Sequence, residues 1–457
     1  MHRNAWALAT RRAAVLAGSV ILIVAALAHS CASTQQQPNV VLVVIDTLRA
    51  DHLSVYGYER RTSPNLDHFA RSAMRYTRVF STAPWTLPAH ASLFTGKFPF
   101  EHGAHEVPSP PDAPDNAAPL DRSEWTLAEE LRERGYSTAD ISANAGYLDR
   151  HYGLDQGFAT YDVEHLPGEQ INRRVNDWLA KTPARPVFLY VNFMETHRPY
   201  DTKVRSPQSW PNHAEADPHE LLDRLYRDVM GGSGPANPHL RQKVVDQYDT
   251  GVRNADLAFG ELLKVLRSHG LEEDTIIVVT SDHGEYFGEH RLVEHSKDVY
   301  QSALHVPLIM RTPNQTREGV SDSTLSSVNV PGLILAAIGG AQVGDTTYLS
   351  RQPGRHPIIS ENYLSRVKDL RHPIWGDRFQ RIRTAIFDEN YKLILSSDGQ
   401  HELFRLPDDP DETKNLFRSH ERAAERLTRE LHAFMGATRR QVADPYGDAR
   451  RGMGAPR

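Results

Sequence analysis

The chain has 457 residues, enough to bury a large core in one catalytic domain with a smaller appendage. Hydrophobic residues make up 39% of it and charged residues 24%, which is ordinary for a globular protein. The net charge of −6 is spread along the chain without a basic block, so nothing in the sequence supports an electropositive groove for nucleic acid.

The first predicted element is an export signal over residues 1–31. Three arginines precede the apolar run at residues 13–28, and Cys31, the only cysteine of the chain, follows among small residues. This order is typical of a signal peptide, and the cysteine favours the lipid-modified type of a bacterial lipoprotein. An ordinary cleavage site and an uncleaved spanning anchor stay open as alternatives. We expect the folded part to lie outside the cytoplasm, in the periplasm or at the cell surface, with residues 32–37 as a tether to the membrane.

Three continuously apolar, β-branched runs predict strands that are buried on both faces of a parallel sheet. The runs and the polar residues that follow them are 39–45 with Asp46, 187–193 with His197, and 275–280 with Asp282 and His283. Because ligands bind outside the carboxyl ends of such strands, we expect these acids and imidazoles to meet at one site. Taken singly, each residue also fits a turn, a helix cap or the surface. Together they are suited to binding Mn, Mg or Zn.

The remaining runs complete an α/β pattern. Apolar segments at 306–310 and 357–360, with a helical stretch at 257–266, predict further strands and helices of a doubly wound, mostly parallel sheet. Residues 201–243 have weak periodicity and follow His197 directly, so we interpret them as an insertion over the pocket, with a plain surface loop as the alternative.

The C-terminal part predicts a separate small subdomain. Runs at 381–387, 391–396 and 401–406 favour a small antiparallel sheet, and residues 421–435 favour a closing helix. The predicted organisation is a catalytic domain over 38–370, a C-terminal antiparallel α+β subdomain over 371–440 and a tail over 441–457.

Thr86 is the candidate nucleophile. It stands just before Pro88, which predicts the start of a helix. At that end the helix dipole and free amide groups favour an anion and a deprotonated hydroxyl, and a bound metal would lower the hydroxyl pKa further. The alternative is that Thr86 is merely the N-cap of this helix.

Ten short motifs follow one another along the chain. They are PNVV (38–41), DTLRADH (46–52), TSPNLD (62–67), TLPAH (86–90), LFTG (93–96), GYST (135–138), GLDQGF (153–158), ETHRPY (195–200), SDHGE (281–285) and HVPLI (305–309). In this order they resemble the sulfatase family of the alkaline phosphatase superfamily, over residues 38 to about 416. The resemblance implies an alkaline phosphatase/sulfatase-like fold and an anionic ester as the substrate.

The resemblance also implies roles for single residues. Asp46, Asp282 and His283 match metal ligands, and Thr86 matches the nucleophile that also touches the metal. His197 matches the group that handles the leaving oxygen.

Four further residues match positions that contact the substrate. His295 and Lys297 fall where relatives place a cation against the substrate anion. His90 replaces the motif arginine that supports the nucleophile in sulfatases, and Asn144 stands near their Gly-Lys lysine.

Two departures from the sulfatase pattern bear on the chemistry. Sulfatases oxidise a cysteine or serine to formylglycine, whereas oxidation of Thr86, a secondary alcohol, gives a ketone. The pairs Asp46-Thr47 and Asp282-His283 replace the usual oxygen-rich pairs, which favours Mn, Mg or Zn over Ca. No Asp-x-x-x-His pattern follows, so we expect one divalent metal ion. The set is similar to the site of lipoteichoic acid synthases and related phosphotransferases, which use an unmodified threonine.

The sequence therefore predicts a metal-dependent hydrolase or phosphotransferase that acts on phosphate esters through Thr86. Two alternatives stay open. One is a sulfuric ester hydrolase that works without formylglycine, and the other is a catalytically silent surface protein that binds metal or anions.

Overall fold

The computed structural model describes residues 37–108, 117–200, 217–232, 236–339, 341, 343–344 and 347–439. The predicted signal peptide, most of the tether and the tail lie outside the described residues. Within these ranges no helix combines the length and the apolar character needed to cross a membrane. From Asn39 onward the described residues form one compact unit.

Strands and helices alternate along most of the chain. The strands are β1 (Asn39–Ile45), β2 (Met74–Phe80), β3 (Ser137–Ser142), β4 (Thr160–Val163), β5 (Val187–Phe193), β6 (Thr275–Thr280), β7 (Tyr286–Phe287), β8 (Val293–Glu294), β9 (Leu308–Arg311), β10 (Gly319–Ser326), β11 (Ile358–Asn362), β12 (Arg383–Phe387), β13 (Tyr391–Ser396) and β14 (Glu402–Arg405). The α-helices are α1 (Pro64–Ala70), α2 (Thr86–Thr95), α3 (Pro99–His102), α4 (Leu127–Glu133), α5 (Gly168–Ala180), α6 (Pro218–Gly231), α7 (Pro238–Ser268), α8 (Gln301–Leu304), α9 (Val330–Ile338), α10 (Val367–Leu370) and α11 (Glu421–Arg439). Short 3-10 turns lie at Ala50–His52, Ser54–Tyr56, Arg150–Tyr152, Glu289–Arg291, Ser327–Asn329 and Gly376–Phe379.

In the described part of the chain, the central sheet has eight strands in the order β10-β2-β9-β6-β1-β5-β3-β4. Of these strands only β9 runs antiparallel to its neighbours, so the predicted mostly parallel sheet is confirmed. Strand β1 lies between β6 and β5, with Val41 opposite Ile277 on one side and Leu189 on the other. The three strands that the sequence marked as buried are therefore adjacent, and their carboxyl ends lie at one edge.

Alternate residues of β1 enter two different cores. Val41, Val43 and Ile45 pack in the cluster on one face, which includes residues of α5 and α7, whereas Val40, Leu42 and Val44 pack in the cluster on the other face, which includes residues of α2 and α4. A strand that is buried on both sides needs apolar residues at every position, which explains its continuous apolar run.

A second sheet has the order β11-β12-β13-β14, and all its pairs are antiparallel. The predicted strands at 381–387, 391–396 and 401–406 are thus confirmed, and α11 covers them through Leu427 and Leu431. The prediction that 357–360 joins the doubly wound sheet is wrong, because β11 pairs with β12 instead. A short apolar run does not reveal its partner, since strand pairing depends on residues far away in the chain.

The structure also revises the predicted insertion at 201–243. Residues 201–216 and 233–235 lie outside the described residues, but 218–231 form helix α6 and the segment from Pro238 belongs to α7. Asp217 is the N-cap of helix α6, since its side chain accepts a hydrogen bond from the amide of His219, and a proline follows in the first turn. Leu221, Leu222 and Leu225 are buried, so this helix contributes to the core.

Candidate active site

Three ligand-type side chains meet at the carboxyl ends of β1 and β6. Asp46 follows β1, and Asp282 and His283 follow β6, and each contributes an atom to a set in which all atoms lie within 4.8 Å of one another. All three side chains are fully buried. They meet because β1 and β6 are neighbours in register, with Val44 opposite Thr280.

The charges of this cluster fit a cation. Burial raises the pKa of Asp46 to about 6, with a further contribution from Asp282, and burial raises the pKa of Asp282 to about 7. Among the described residues, Oδ1 of Asp46 and Oδ2 of Asp282 have no hydrogen-bond partner. Buried carboxylate oxygens are costly unless they are paired or bind a metal, so a divalent ion suits this donor set.

His283 presents one defined nitrogen to the cluster. Its Nδ1 lies 2.9 Å from the carbonyl oxygen of Gly284, which can only accept, so Nδ1 carries the proton. In the neutral ring, the lone pair is then on Nε2, which lies 3.4 Å from Oδ2 of Asp282. Burial lowers the pKa of the ring, which favours this neutral form. A backbone carbonyl thus fixes the tautomer that a metal ligand requires.

Thr86 lies beside this cluster at the first turn of α2. Its Oγ1 is 3.5 Å from Nε2 of His283, and its side chain is buried. The helix begins at Thr86 itself, before the predicted start at Pro88, and Trp85 occupies the N-cap position. The alternative that Thr86 is the N-cap is therefore wrong. Its hydroxyl lies where the amide groups of the first turn are unpaired and the helix dipole favours negative charge.

His90 lies one turn further along α2 and supports the backbone of Thr86. Its Nδ1 donates to the carbonyl oxygen of Thr86 at 2.9 Å, so its Nε2 accepts from the hydroxyl of Tyr190 at 2.6 Å. Burial lowers the pKa of His90 to about 3, which keeps the ring neutral in this arrangement. Both ring nitrogens are engaged within the protein, and the predicted contact between His90 and the substrate stays a prediction.

Asn144 follows β3 and turns its side chain towards the metal-ligand cluster. Its Nδ2 donates to Oδ2 of Asp46 at 2.6 Å, and its Oδ1 accepts from the amides of Gly146 and Tyr147. The residue therefore orients a candidate metal ligand. A direct contact with the substrate, as predicted from the sequence, stays a prediction.

Two further histidines lie near the cluster. The ring of His295 is 4.7 Å from that of His283 and 5.2 Å from that of His197, measured between centroids. Nδ1 of His197 donates to the carbonyl oxygen of Arg198 at 2.8 Å, so the other nitrogen is the one that can exchange a proton. Burial lowers the pKa of both rings. The structure thus brings His197 and His295 beside the predicted metal ligands.

Comparison with known proteins agrees with this geometry. The profile of the Sulfatase family matches residues 38–340. The chain belongs to the sulfatase family. An ulvan-active sulfatase of Formosa agariphila is 25% identical over 441 residues, covering 90% of this chain and 82% of the relative. An endo-4-O-sulfatase of Bacteroides thetaiotaomicron is 23% identical over 372 residues, covering 67% of this chain and 70% of the relative.

Solved structures show the same fold. The crystal structure of a phosphonate monoester hydrolase of Agrobacterium radiobacter superposes with a TM-score of 0.65 at 20% sequence identity, covering 89% of this chain and 96% of that one. Members of the sulfatase family are hydrolases that bind a divalent metal ion, and Asp46, Asp282 and His283 form the candidate site for it here.

Lys297, the remaining predicted substrate contact, lies in a charged cluster at the edge of this sulfatase-family site. Its ammonium is buried, 3.1 Å from Oδ2 of Asp369 and 3.9 Å from Oε2 of Glu294. Burial, helped by Arg366, lowers its pKa to about 8. The structure places Lys297 two residues after His295, and its contact with substrate stays a prediction.

Two threonines to which the sequence analysis assigned no role in the site connect the strand ends. The hydroxyl of Thr47 donates to the carbonyl oxygen of Thr196 at 2.6 Å, and the hydroxyl of Thr196 donates in return to the carbonyl oxygen of Asp46. The amide of Thr47 donates to Oδ1 of Asp282 at 3.1 Å. Thr47 has a φ of 57°, which is unusual for a β-branched residue and is common at functional sites. Only its position after Asp46 could have drawn attention to it.

Proposed function

We propose that this chain is an exported, membrane-attached hydrolase or phosphotransferase that cleaves phosphate or phosphonate esters, with Thr86 as its nucleophile. One observation carries the proposal, namely the position of the Thr86 hydroxyl at the first turn of α2, 3.5 Å from Nε2 of His283. A hydroxyl at a helix N-terminus beside a divalent metal site is in an environment that favours its deprotonation.

The chemistry of threonine supports phosphorus over sulfur. Formylglycine cannot be made from Thr86, so a sulfothreonine intermediate would lack the aldehyde-hydrate route for its release. A phosphothreonine can instead be cleaved by attack of water on phosphorus. The structural similarity to an enzyme described as a phosphonate monoester hydrolase is consistent with this preference.

The proposed reaction has two displacements. The Thr86 hydroxyl loses its proton to solvent, Oγ1 attacks the phosphorus in line, the bond to the ester oxygen breaks, and protonated His197 gives its proton to that oxygen. Neutral His197 then takes a proton from water or a second alcohol, whose oxygen attacks the phosphothreonine. The bond from phosphorus to Oγ1 breaks, and Thr86 leaves as the alkoxide that starts the next cycle. When bound by Asp46, Asp282 and His283, a Mn, Mg or Zn ion would supply Lewis acidity that stabilises negative charge on the oxygens.

The residues around Thr86 prepare it for this role. His90 holds its carbonyl oxygen from one turn along the helix, which limits the orientation of the first turn. An anionic ester beside His197 raises the pKa of that ring, which opposes the effect of burial and favours the protonated form that the leaving oxygen needs.

Sulfuric ester hydrolysis is the second candidate function. It is favoured by the curated relatives, which are described as an ulvan-active sulfatase and an endo-4-O-sulfatase. A sulfatase of this kind would have to work without formylglycine.

The test is a panel of aryl phosphate monoesters, phosphodiesters, phosphonate monoesters and sulfates, each assayed with Mn, Mg, Zn and Ca. We expect turnover of a phosphorus ester, a loss of at least about a thousandfold in Thr86→Ala, and partial retention in Thr86→Ser. Lys264→Gln serves as a control, because Lys264 is an exposed residue near the end of α7 that leads to the start of β6.

Three other results would contradict the proposed nucleophile, the proposed substrate class or the proposed activity. Metal-dependent turnover that survives in Thr86→Ala would exclude Thr86 as the nucleophile. Turnover of sulfates alone would support the second candidate. No turnover of any ester would support the silent metal- or anion-binding alternative.

The attachment to the membrane has its own test. We expect Cys31→Ser to move the protein from the membrane fraction to the soluble exported fraction, since Cys31 is the proposed lipid attachment point. Persistence in the membrane fraction would instead favour an uncleaved anchor.

A further inference from the structure

Two pairs of neighbouring residues, His197-Arg198 and Glu294-His295, lie side by side at the edge of the candidate active site. The rings of His197 and His295 are 5.2 Å apart between centroids, and the guanidinium of Arg198 forms an ion pair with Glu294. The two segments therefore place their imidazoles beside the metal-ligand cluster. The residue next to each histidine, Arg198 or Glu294, belongs to the ion pair.

Four basic side chains surround Glu294, although one cation is enough to neutralise one carboxylate. Arg198 and Arg366 each contact one of its oxygens, and the ammonium groups of Lys368 and Lys297 lie 3.8 Å and 3.9 Å from Oε2. Burial alone would raise the pKa of Glu294, but these cations, Arg366 first among them, hold it well below its ordinary value. We call these four basic residues and Glu294 the cation cluster.

The cation cluster carries an excess of positive charge. Besides Glu294, the described residues contribute one further carboxylate to its ion pairs, Asp369, which lies 3.1 Å from Nζ of Lys297 and 3.4 Å from Nε of Arg366. Nearby Glu285 lies outside these ion pairs and is instead engaged by His295, whose Nδ1 lies 3.1 Å from its Oε1. Four cations therefore face two carboxylates.

The excess charge lies on the outer side of the cation cluster. Lys297 is fully buried, whereas the side chain of Arg198 is 34% exposed and that of Lys368 is 51% exposed. Two cations would suffice to neutralise Glu294 and Asp369. Arg198, which pairs with Glu294 through one nitrogen, and Lys368 are therefore the cations of the cluster that a ligand from solvent can contact.

The backbone around Glu294 is held in an uncommon conformation. Glu294 has a φ of 62°, Ser296 a φ of 62°, and His290 and Arg291 φ values of 50° and 58°. Such a group of positive φ values in non-glycine residues costs free energy and is typical of functional segments. The ion pairs of Glu294 hold this segment against the site.

The cation cluster also adjoins the site itself. Nζ of Lys297 donates to the carbonyl oxygen of His295 at 3.1 Å, and Arg198 follows His197 directly in the chain. A second anionic group on a bound substrate would therefore meet positive charge immediately beside the reacting ester.

We propose that Arg198, Arg366 and Lys368 form a second anion-binding site, which selects substrates that carry a carboxylate, sulfate or phosphate in addition to the ester that reacts. This inference rests on the proposed function for the binding of the ester group at the metal site. It adds that the substrate carries at least two acidic groups.

The test uses probes that are not esters, so that it does not depend on turnover. Full-length, Mn-loaded protein is titrated in a calorimeter with phenylphosphonates that carry a carboxylate on a short or a long alkyl arm, and with the matching primary amides. We expect the best carboxylate probe to bind about tenfold more tightly than its amide. Lys368→Gln and Arg198→Gln should each reduce this ratio to about threefold or less, and Lys368→Arg should keep it.

Lys264→Gln is the matched control, since Lys264 is an exposed lysine paired with a glutamate at 2.7 Å. We avoid changing Arg366, because its loss would leave Glu294 and Asp369 short of buried partners. Thermal unfolding of each variant verifies that it is folded.

The second anion-binding site is excluded if carboxylate and amide probes bind wild-type protein equally. It is also excluded if both glutamine variants keep the wild-type ratio, or if Lys264→Gln lowers the ratio as much as they do. Survival of ester turnover in Thr86→Ala with an intact binding ratio would reject the nucleophile and leave the second anion-binding site supported.

Discussion

The side-chain amide of Asn144 donates a 2.6 Å hydrogen bond to Oδ2 of Asp46, and Oδ1 of the same carboxylate has no hydrogen-bond partner among the described residues. One oxygen of the candidate metal ligand is thereby fixed and the other is left for a cation. Asn144 is itself held by the amides of Gly146 and Tyr147. Hydrogen bonds of this kind orient metal ligands and tune their affinity.

We expect Asn144→Ala to weaken divalent metal binding by about 10- to 100-fold, because Asp46 loses the donor that fixes it. The measurement is a calorimetric titration of metal-free protein with Mn. Asn176→Ala is the control, since Asn176 is exposed on α5. Equal metal affinity in wild type and Asn144→Ala would show that Asn144 does not support the site.

Tyr190→Phe should reduce both stability and activity. The substitution leaves Nε2 of buried His90 without its 2.6 Å donor, which costs about 1–3 kcal/mol in the free energy of unfolding. We also expect kcat to fall more than KM changes, because His90 holds the carbonyl oxygen of Thr86. Denaturant unfolding and steady-state kinetics measure the two effects.

Tyr391→Phe on β13 is the control for this prediction, since it makes the same chemical change in the second sheet. A Tyr190→Phe variant as stable and as active as wild type would contradict the role of the Tyr190–His90 hydrogen bond.

Gly251 in α7 permits the close approach of the segment that carries His197. A Cβ atom at this position would lie 2.3 Å from the carbonyl oxygen of Glu195 and 3.1 Å from its carbonyl carbon. We expect Gly251→Ala to lose about 1–3 kcal/mol in the free energy of unfolding and to reduce activity by displacing His197.

Gly436→Ala in α11 is the matched control, because a Cβ atom there meets nothing within 4 Å. A glycine in a helix interior costs about 0.5–1 kcal/mol relative to alanine, so this variant should be neutral or stabilised. Equal behaviour of the two variants would contradict the close contact between α7 and the Glu195 segment.

Metal removal should make stability depend on pH through Asp46 and Asp282. Their folded pKa values are raised to about 6 and about 7, above the unfolded value of about 3.9. At pH values between the unfolded and the folded pKa, the metal-free folded protein thus binds more protons than the unfolded protein. Their contribution to stability therefore falls as the pH rises from about 4 to about 7 and stays low above that range.

A bound divalent ion favours the ionised carboxylates, so added Mn should raise the unfolding temperature more at pH 8 than at pH 5.5. Thermal unfolding with Mn or with a chelator measures the difference, and Asp282→Asn should lose most of it. A larger effect of Mn at pH 5.5 would contradict the assignment of these carboxylates as metal ligands.

Local patterns in the sequence predicted the centre of the fold. The continuous apolar runs of β1, β5 and β6 identified buried parallel strands, and the polar residues after them identified Asp46, Asp282 and His283. These features can be recognised in the sequence because a strand that is buried on both faces requires an apolar residue at every position. The catalytic roles of these residues stay predictions.

Contacts between distant parts of the chain could not be predicted from the sequence. The pairing of β11 with β12 and the hydrogen bond from Asn144 to Asp46 join residues that no local pattern connects. Tyr190 lies in an apolar strand, and no pattern in the sequence predicted the hydrogen bond between its hydroxyl and His90. The helix at Pro218–Gly231 was missed although Leu221, Leu222 and Leu225 recur at helical spacing, because they form a short stretch within a longer segment of weak periodicity.

The sequence by itself determined the family, the mostly parallel sheet and which residue types gather at its carboxyl edge, because those properties depend on local order along the chain. Only the tertiary structure decided which side chains support Asp46 and Thr86, and how Arg198, Arg366 and Lys368 gather around Glu294. The physical reason is that hydrogen bonds and ion pairs act over a few ångströms, and the residues that make them here come from strands and loops far apart in the chain.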